Sequence, residues 1–303
     1  MASYKLIGKD FTPPDLVGKV TGKAKYAEDF RPSGMLFAKL LRSPMPHAKV
    51  RKIDTRAALA LKGVVAVATA DDVPKAHPPE EPMLTNEPLY AGEPILAVAA
   101  VDETTAAEAV ERIKIDLQPL PFIIDPLETL RPGGPDPRSD GNVANRELKL
   151  QTIKWTARDF AGVNQGKLPM GKPAEEWQYG DIEAGFKQAD FILEETFVTQ
   201  ALSHHSMEPR TAMAYWQNGK LYLHGSSQSV SFAVPGIAKL LGIDPAQLVF
   251  ISENTGGGFG SKGTGYPQWG IPAILAKKTG RPVMMRVTRD EEYAFGRARP
   301  GYQ

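Results

Sequence analysis

Cysteine is absent from the 303 residues, so the chain carries no disulfide, no zinc–thiolate site and no iron–sulfur cluster of its own. Any redox centre that needs thiolates must belong to a partner. An excess of charge is also lacking: 36 Lys and Arg stand against 35 Asp and Glu, a net charge of +1. That balance excludes the basic footprint of a nucleic-acid binder and a polybasic membrane signal. Long hydrophobic runs are missing too. The stretch from Ile95 to Val101 is far short of the roughly 20 residues that span a bilayer, so no membrane span is expected. Residues 1–10 lack the apolar core of a secretory signal, and the expected location is cytoplasmic.

What is present is an ordinary globular composition, 42% hydrophobic and 23% charged, on a chain long enough for two domains. Residues 1–18 read as a polar arm. Residues 19–127 read as one α/β unit, with strands at 36–41 and 64–68 around a capped helix at 53–62. A second set follows: a strand at 94–101, a helix at 104–112 and an alternating strand at 113–117. Residues 128–180, broken by clusters such as Pro132-Gly133-Gly134-Pro135 and Gly166-Lys167-Leu168-Pro169, read as an extended linker. Its Trp155 and Trp177 fit either a segment wrapped on a neighbouring surface or local packing. Residues 181–303 are read as mixed α+β. A helix at 181–189, a strand at 191–199 and a hairpin around Asn218-Gly219 come first. A helix at 231–241, a strand at 248–251, a helix at 267–278, a strand at 283–287 and a polar tail at 288–303 follow.

Thr255-Gly256-Gly257-Gly258-Phe259-Gly260-Ser261-Lys262-Gly263 lies between that strand and that helix, with five of the 28 glycines in nine residues. Without Cβ atoms such a turn reaches positive φ and brings backbone N–H groups close to a ligand, which makes an anion-binding concavity. Gly258, Gly260 and Gly263 also satisfy the dinucleotide pattern of a Rossmann turn. That pattern wants an acid about 20 residues further on, and none lies between Gly263 and Thr288. A P-loop is excluded because Lys262 is followed by Gly263 rather than Ser or Thr. A turn that only packs a helix on a strand is the plain alternative. His204 and Glu208 have the spacing of a helical metal pair, but Pro209 argues against a helix there, and no metal ligand is assigned.

Several blocks carry a resemblance: Val20-Thr21-Gly22-Lys23-Ala24-Lys25-Tyr26, Leu41-Arg42-Ser43-Pro44, Tyr90-Ala91-Gly92-Glu93-Pro94, Glu195-Thr196-Phe197, His204-His205-Ser206-Met207-Glu208-Pro209-Arg210, Ser227-Gln228-Ser229 and the glycine turn. In order and spacing they resemble the large subunit of the xanthine dehydrogenase/aldehyde oxidase family of molybdenum hydroxylases. The resemblance implies an α+β fold, with an N-terminal a/b hammerhead domain followed by the first part of a molybdopterin-binding domain. It implies a molybdenum–molybdopterin cofactor, as the cytosine dinucleotide. Gln228 is expected to donate to a metal oxo group, and Gly257, Gly258, Phe259 and Gly260 to face the pterin, with Phe259 lining the substrate pocket. His204, Met207, Glu208 and Arg210 are expected to support the site.

The implied reaction is hydroxylation of an aldehyde, an N-heterocycle or another activated C–H group, with oxygen taken from water. The family's catalytic glutamate would lie beyond residue 303. The implied partners are a second molybdopterin-binding chain carrying that glutamate, an iron–sulfur subunit with 2Fe-2S clusters, and an FAD subunit. The polar tail suggests a natural split of the large subunit. Ser261-Lys262-Gly263 stands where some purine-oxidising members carry a glutamate, which argues against purine. Part of an aerobic-type carbon monoxide dehydrogenase large subunit, a Rossmann dehydrogenase and a non-catalytic scaffold remain as alternatives.

Overall fold

A computed structural model describes residues 4–74, 82–138, 141–144, 150–163, 168–169, 175–195, 197–299 and 301. Its helices are α1 (Leu16–Val20), α2 (Arg56–Leu59), α3 (Glu103–Arg112), α4 (Ile182–Gln188), α5 (Val230–Leu241), α6 (Pro267–Thr279) and α7 (Arg289–Phe295). Its strands are β1 (Leu36–Arg42), β2 (Ala48–Asp54), β3 (Val64–Thr69), β4 (Pro94–Ala100), β5 (Lys114–Pro119), β6 (Val143–Ala144), β7 (Leu150–Gln151), β8 (Leu202–Ser203), β9 (Ala212–Gln217), β10 (Lys220–Gly225), β11 (Leu248–Ile251), β12 (Val283–Met285) and β13 (Ala298–Arg299). Met1–Pro119 with Ala201–Pro300 forms one compact unit, and Leu120–Gln200 with Gly301–Gln303 a second.

The first unit is built on a seven-stranded mixed sheet in the order β11-β10-β9-β12-β1-β4-β3. Stretches far apart in the chain meet in it. β1 pairs in parallel with β12, Leu36 opposite Val283 and Phe37 opposite Met284. The sheet order explains the apolar run at 95–101. β4 lies between β1 and β3 with all seven of its residues buried, and a strand covered on both faces has no cause to alternate. On one face Leu36, Ala38, Ala97 and Ala99 pack with α5 and α6. On the other, Leu41, Leu96 and Val98 pack with Ala58 of α2 and Ala109 of α3.

Trp269 anchors the first of these cores, fully buried, with ring centroids 5.4 Å from Phe250 and 5.2 Å from Tyr266. α6 is buried on nearly every side, so it shows no polar stripe. A Cβ on Gly265 would stand 2.6 Å from the Ile237 nitrogen. α5 and the entry to α6 therefore touch backbone to backbone, which fixes the end of the glycine turn against α5.

Several expectations are corrected. The helix expected at 53–62 is instead the end of β2 followed by the four-residue α2. β2 finds a partner in β5, with Val50 opposite Leu117 and Ile53 opposite Ile115, and that pairing keeps the chain extended to Asp54, so that the helix begins only at Arg56. The strand expected at 191–199 is not formed: 191–195, 197 and 198 carry no regular structure, and Thr196 lies outside the described residues. Phe191, Phe197 and Val198 are exposed, and an extended segment with no ladder leaves its backbone groups to water.

The polar tail from residue 288 carries α7 and β13. Thr288 Oγ1 accepts from the Glu291 N–H (3.2 Å) while Glu291 Oε2 accepts from the Thr288 N–H (2.8 Å), a reciprocal cap that starts the helix. The strand expected to reach 287 ends at Met285. The arm runs into α1. In the second unit β6 pairs with β7, and Trp155 packs locally, edge-on to Phe160 at 5.7 Å. Trp177 is exposed. Gly166, Lys167 and residues 170–173 of the expected linker lie outside the described residues.

Candidate cofactor site

β10 and β11 run in parallel, Leu221 opposite Leu248 and His224 opposite Ile251. Their carboxyl ends therefore leave the sheet together. β10 runs into Ser226-Ser227-Gln228 and then α5, and β11 runs into the glycine turn. This is why Gln228 meets the turn although some thirty residues separate them, and the place is where open sheets offer crevices to ligands. The two loops are stapled by hydroxyl groups. Thr255 Oγ1 donates to the Ser227 carbonyl (2.9 Å) and the Ser227 N–H donates to Ser252 Oγ (3.0 Å).

Gln228 binds the turn through one end of its amide. Its Oε1 accepts from the N–H groups of Gly260 (3.0 Å) and Lys262 (3.2 Å). Two backbone donors fix which end is oxygen, so the NH₂ group is turned the other way, and it donates to no described residue. The Gln228 side chain is exposed.

The glycines serve two different ends. Gly257 (φ 94°) and Gly260 (φ 93°) are in the left-handed region, which glycine occupies without steric cost. Gly256 and Gly258 are not, and for them the limit is space. A Cβ on Gly256 would lie 2.5 Å from Glu208 Cβ, and one on Gly258 would lie 2.3 Å from Gln228 Oε1. The positive φ expected of the turn is thus found at Gly257 and Gly260, while Gly258 is held by close contact with Gln228. Phe259 carries φ 51° without being glycine, a strain that is kept only where the surroundings enforce it. Its side chain is exposed at the tip of the turn. The N–H groups of Gly257, Gly258 and Phe259 donate to no described residue.

Beneath the turn lies a buried group of charges. Glu208 Oε2 accepts from the Gly256 N–H (2.6 Å), and the Gly256 carbonyl accepts from the Glu208 N–H (3.2 Å). Lys262, fully buried, donates from Nζ to the Glu208 carbonyl (2.5 Å) and to Ser226 Oγ (2.7 Å). Burial pushes the Lys262 ammonium below the usual lysine range, and the Glu208 and Glu292 carboxylates oppose that shift. Arg210, also fully buried, pairs with Glu292, donates to the Ser261 carbonyl (2.5 Å) and lies over the Tyr266 ring at 4.6 Å. Removing one partner of such a buried pair typically costs about 3–5 kcal/mol.

The expected site residues therefore gather in part. Gln228, Gly257, Gly258, Phe259 and Gly260 form one surface, with Glu208 and Arg210 under it. His204 stands to the side, its Nδ1 2.9 Å from the Arg297 carbonyl. The Met207 side chain is 84% exposed and supports nothing among the described residues. Lys262, Glu292 and Arg299, whose Nη2 donates to the Phe259 carbonyl (3.3 Å), escaped the sequence reading as parts of the site. Only the complete burial of Lys262 betrays it, and burial of a lysine is not legible in sequence.

Residues 21–121 match the aldehyde oxidase and xanthine dehydrogenase a/b hammerhead domain, and residues 167–303 match the molybdopterin cofactor-binding domain. The chain belongs to the xanthine dehydrogenase/aldehyde oxidase family. It is 31% identical to a probable xanthine dehydrogenase subunit of Bacillus subtilis, over 93% of this chain and 35% of that protein. It is 29% identical to the nicotinate dehydrogenase large molybdopterin subunit of Eubacterium barkeri, over 95% of this chain and 63% of that protein. Among solved structures, a reconstituted CO dehydrogenase from Oligotropha carboxidovorans matches with a TM-score of 0.73 at 25% identity, over 94% of this chain and 35% of that one. The chain thus spans about a third to under two thirds of these relatives, as the N-terminal hammerhead and first molybdopterin-binding part of the family's large subunit. Among the described residues no helix is long and apolar enough to cross a membrane.

Proposed function

We propose that this chain forms one wall of a molybdenum–molybdopterin site in an oxidoreductase that hydroxylates an aldehyde, an N-heterocycle or another activated C–H substrate. The observation that carries the reading is the surface made by the glycine turn and Gln228. Three backbone N–H groups and one amide NH₂ donate to no described residue there, and Phe259 is the exposed side chain at the tip of the turn. That donor set suits a flat, acceptor-rich cofactor carrying oxo and phosphate oxygens. When bound, the cofactor would supply two-electron oxidation with water as the oxygen source.

This chain's own residues bind and orient. Gly257, Gly258 and Phe259 would present N–H donors to the pterin face, Gly260 would hold the turn open to it while its own N–H binds Gln228 Oε1, and Gln228 would aim a fixed donor at an oxygen near the metal. Donors set in place before reaction stabilise developing charge without reorganising. Phe259, apolar and exposed, would wall the substrate side. The base that takes the proton from the water-derived oxygen, expected to be a glutamate, is assigned to the part of the large subunit outside residues 1–303. Iron–sulfur and FAD subunits would carry the electrons away, because a chain without cysteine holds no thiolate-ligated cluster. The cytosine dinucleotide form of the cofactor and a cytoplasmic setting complete the proposal.

A dinucleotide dehydrogenase fits less well. β11, which feeds the turn, is an edge strand whose one neighbour is β10, whereas a Rossmann turn follows a strand inside a parallel sheet. Cofactor extraction from the purified complex separates the readings. Molybdenum together with a pterin is expected; a nicotinamide or flavin dinucleotide alone, or no cofactor at all, would overturn the assignment.

A further inference from the structure

We propose that Lys262 is a positioning residue that holds the glycine turn and Gln228 in one fixed arrangement. It is the residue at which all three loops of the site meet. Its Nζ donates to the Glu208 carbonyl at 2.5 Å and to Ser226 Oγ at 2.7 Å, and stands 3.5 Å from Glu208 Oε2. Its N–H donates to Gln228 Oε1 at 3.2 Å, and its carbonyl accepts from the Gln228 N–H at 2.9 Å and from Ser227 Oγ at 3.2 Å.

The side chain and the main chain of Lys262 thus act on opposite ends of the same turn. Through the ammonium it fixes Glu208, and the Glu208 carboxylate takes the Gly256 N–H at 2.6 Å. Through the backbone it fixes Gln228, whose Oε1 takes the Gly260 N–H at 3.0 Å. Gly257, Gly258 and Phe259 lie between these two anchors, and theirs are the N–H groups left unused.

Packing alone would not call for an ammonium here. A methionine of similar length would fill the space without the cost of removing a charge from water. A tetrahedral ammonium carries three donors on a compact head, and here it serves a carbonyl, a hydroxyl and a carboxylate from two separate loops. Without it the Ser226 loop and the Glu208 loop lose their shared anchor. The Gln228 amide would then swing with its loop, and the direction of its NH₂ group would no longer be set.

The clamp stands on the contacts themselves, and its effect on turnover rests on the cofactor reading above. The test uses the assembled complex carrying Lys262→Met, Ser226→Ala, Gln228→Ala and the Lys262→Met/Gln228→Ala double variant. Amide hydrogen exchange is followed in peptides covering 226–229 and 255–263, with 212–225 of the sheet as reference. Lys262→Met is expected to speed exchange in the two loops at least tenfold and leave the sheet unchanged. Turnover per molybdenum is expected to fall in each single variant, with the double variant no slower than the slower single, because both act through one amide. Unchanged loop exchange, or losses that multiply in the double variant, would overturn the proposal.

If Lys262→Met does not assemble, Ser226→Ala removes one acceptor without stranding a charge. It must then show the same local pattern at smaller amplitude, and unchanged exchange there would equally overturn the proposal. A complex that contains no molybdenum sinks the cofactor reading, while loop exchange still decides whether Lys262 fixes the loops.

Discussion

Gly260 and Lys262 hold the Gln228 amide by its oxygen, and the outward NH₂ follows from that. In Gln228→Ala, cofactor content is expected to stay near normal while turnover slows by roughly 10²-fold, the scale for losing one preorganised donor. Molybdenum assay beside kcat checks it, and full activity at unchanged molybdenum would contradict the donor role. Gly258→Val places its Cβ 2.3 Å from Gln228 Oε1, so it displaces that amide and crowds the unused N–H groups. Loading is expected to fail while the circular dichroism spectrum stays native. A folded, fully loaded variant would show that the turn is no cradle.

His224 is buried, 4.1 Å from the Phe30 ring, and burial holds its imidazole below the usual histidine range. A group whose folded pKa is depressed binds its proton more readily when unfolded, so its stabilising contribution is present above the unfolded value and is lost as pH falls through the folded one. The limiting slope is about 1.4 kcal/mol per pH unit. In His224→Phe the loss of stability below about pH 6.5 is expected to be shallower than in the unaltered chain; parallel melting curves against pH would refute this.

At the residue scale the resemblance singled out Gln228, Glu208 and the glycines, and the structure brings these residues together at the turn. Lys262 and Glu292 were not legible as site residues. Their partners lie 54 and 82 positions away, and no local pattern announces such a pairing.

Among the elements, α5 and the entry to α6 are held by the contact of Gly236 with Gly265, where a Cβ would meet backbone rather than a side chain that can yield. Gly265→Ala is expected to destabilise the chain by about 1–3 kcal/mol, the usual cost of overpacking. Thermal melting reads this directly, and an unchanged melting temperature would mean that the two segments are free to separate. Element type was legible wherever a signal was local. Gly242 and Gly280, at φ 63° and 67°, close α5 and α6 as their positions in the sequence suggested. It was not legible where a distant partner decides, and β2 shows this: the helix suggested from residue 53 begins only at Arg56, because Val50 and Ile53 answer to Leu117 and Ile115 across the ribbon. Residues 191–195, 197 and 198 show the converse, a strand-like pattern with no partner strand among the described residues.

Across the molecule, a hammerhead and the opening part of a molybdopterin-binding region share one sheet through β1 and β12. Neither the composition nor the linker announced that union, since pairing between segments nearly 250 residues apart leaves no periodic trace. The relatives extend well beyond the matched part, and Phe191, Phe197 and Val198 stand exposed, as apolar surface does where another chain segment belongs. On the proposed function, the remaining region of the large subunit, into which the relatives extend, would supply the second wall of the site. The most direct measurement is the molybdenum-to-chain ratio of residues 1–303 expressed alone and expressed together with that region. The expected result is a metal-free, inactive chain alone and about one molybdenum per chain, with hydroxylation of substrate, in the assembly. Full molybdenum occupancy and turnover by the isolated chain, or an assembly that stays free of molybdenum, would contradict the account.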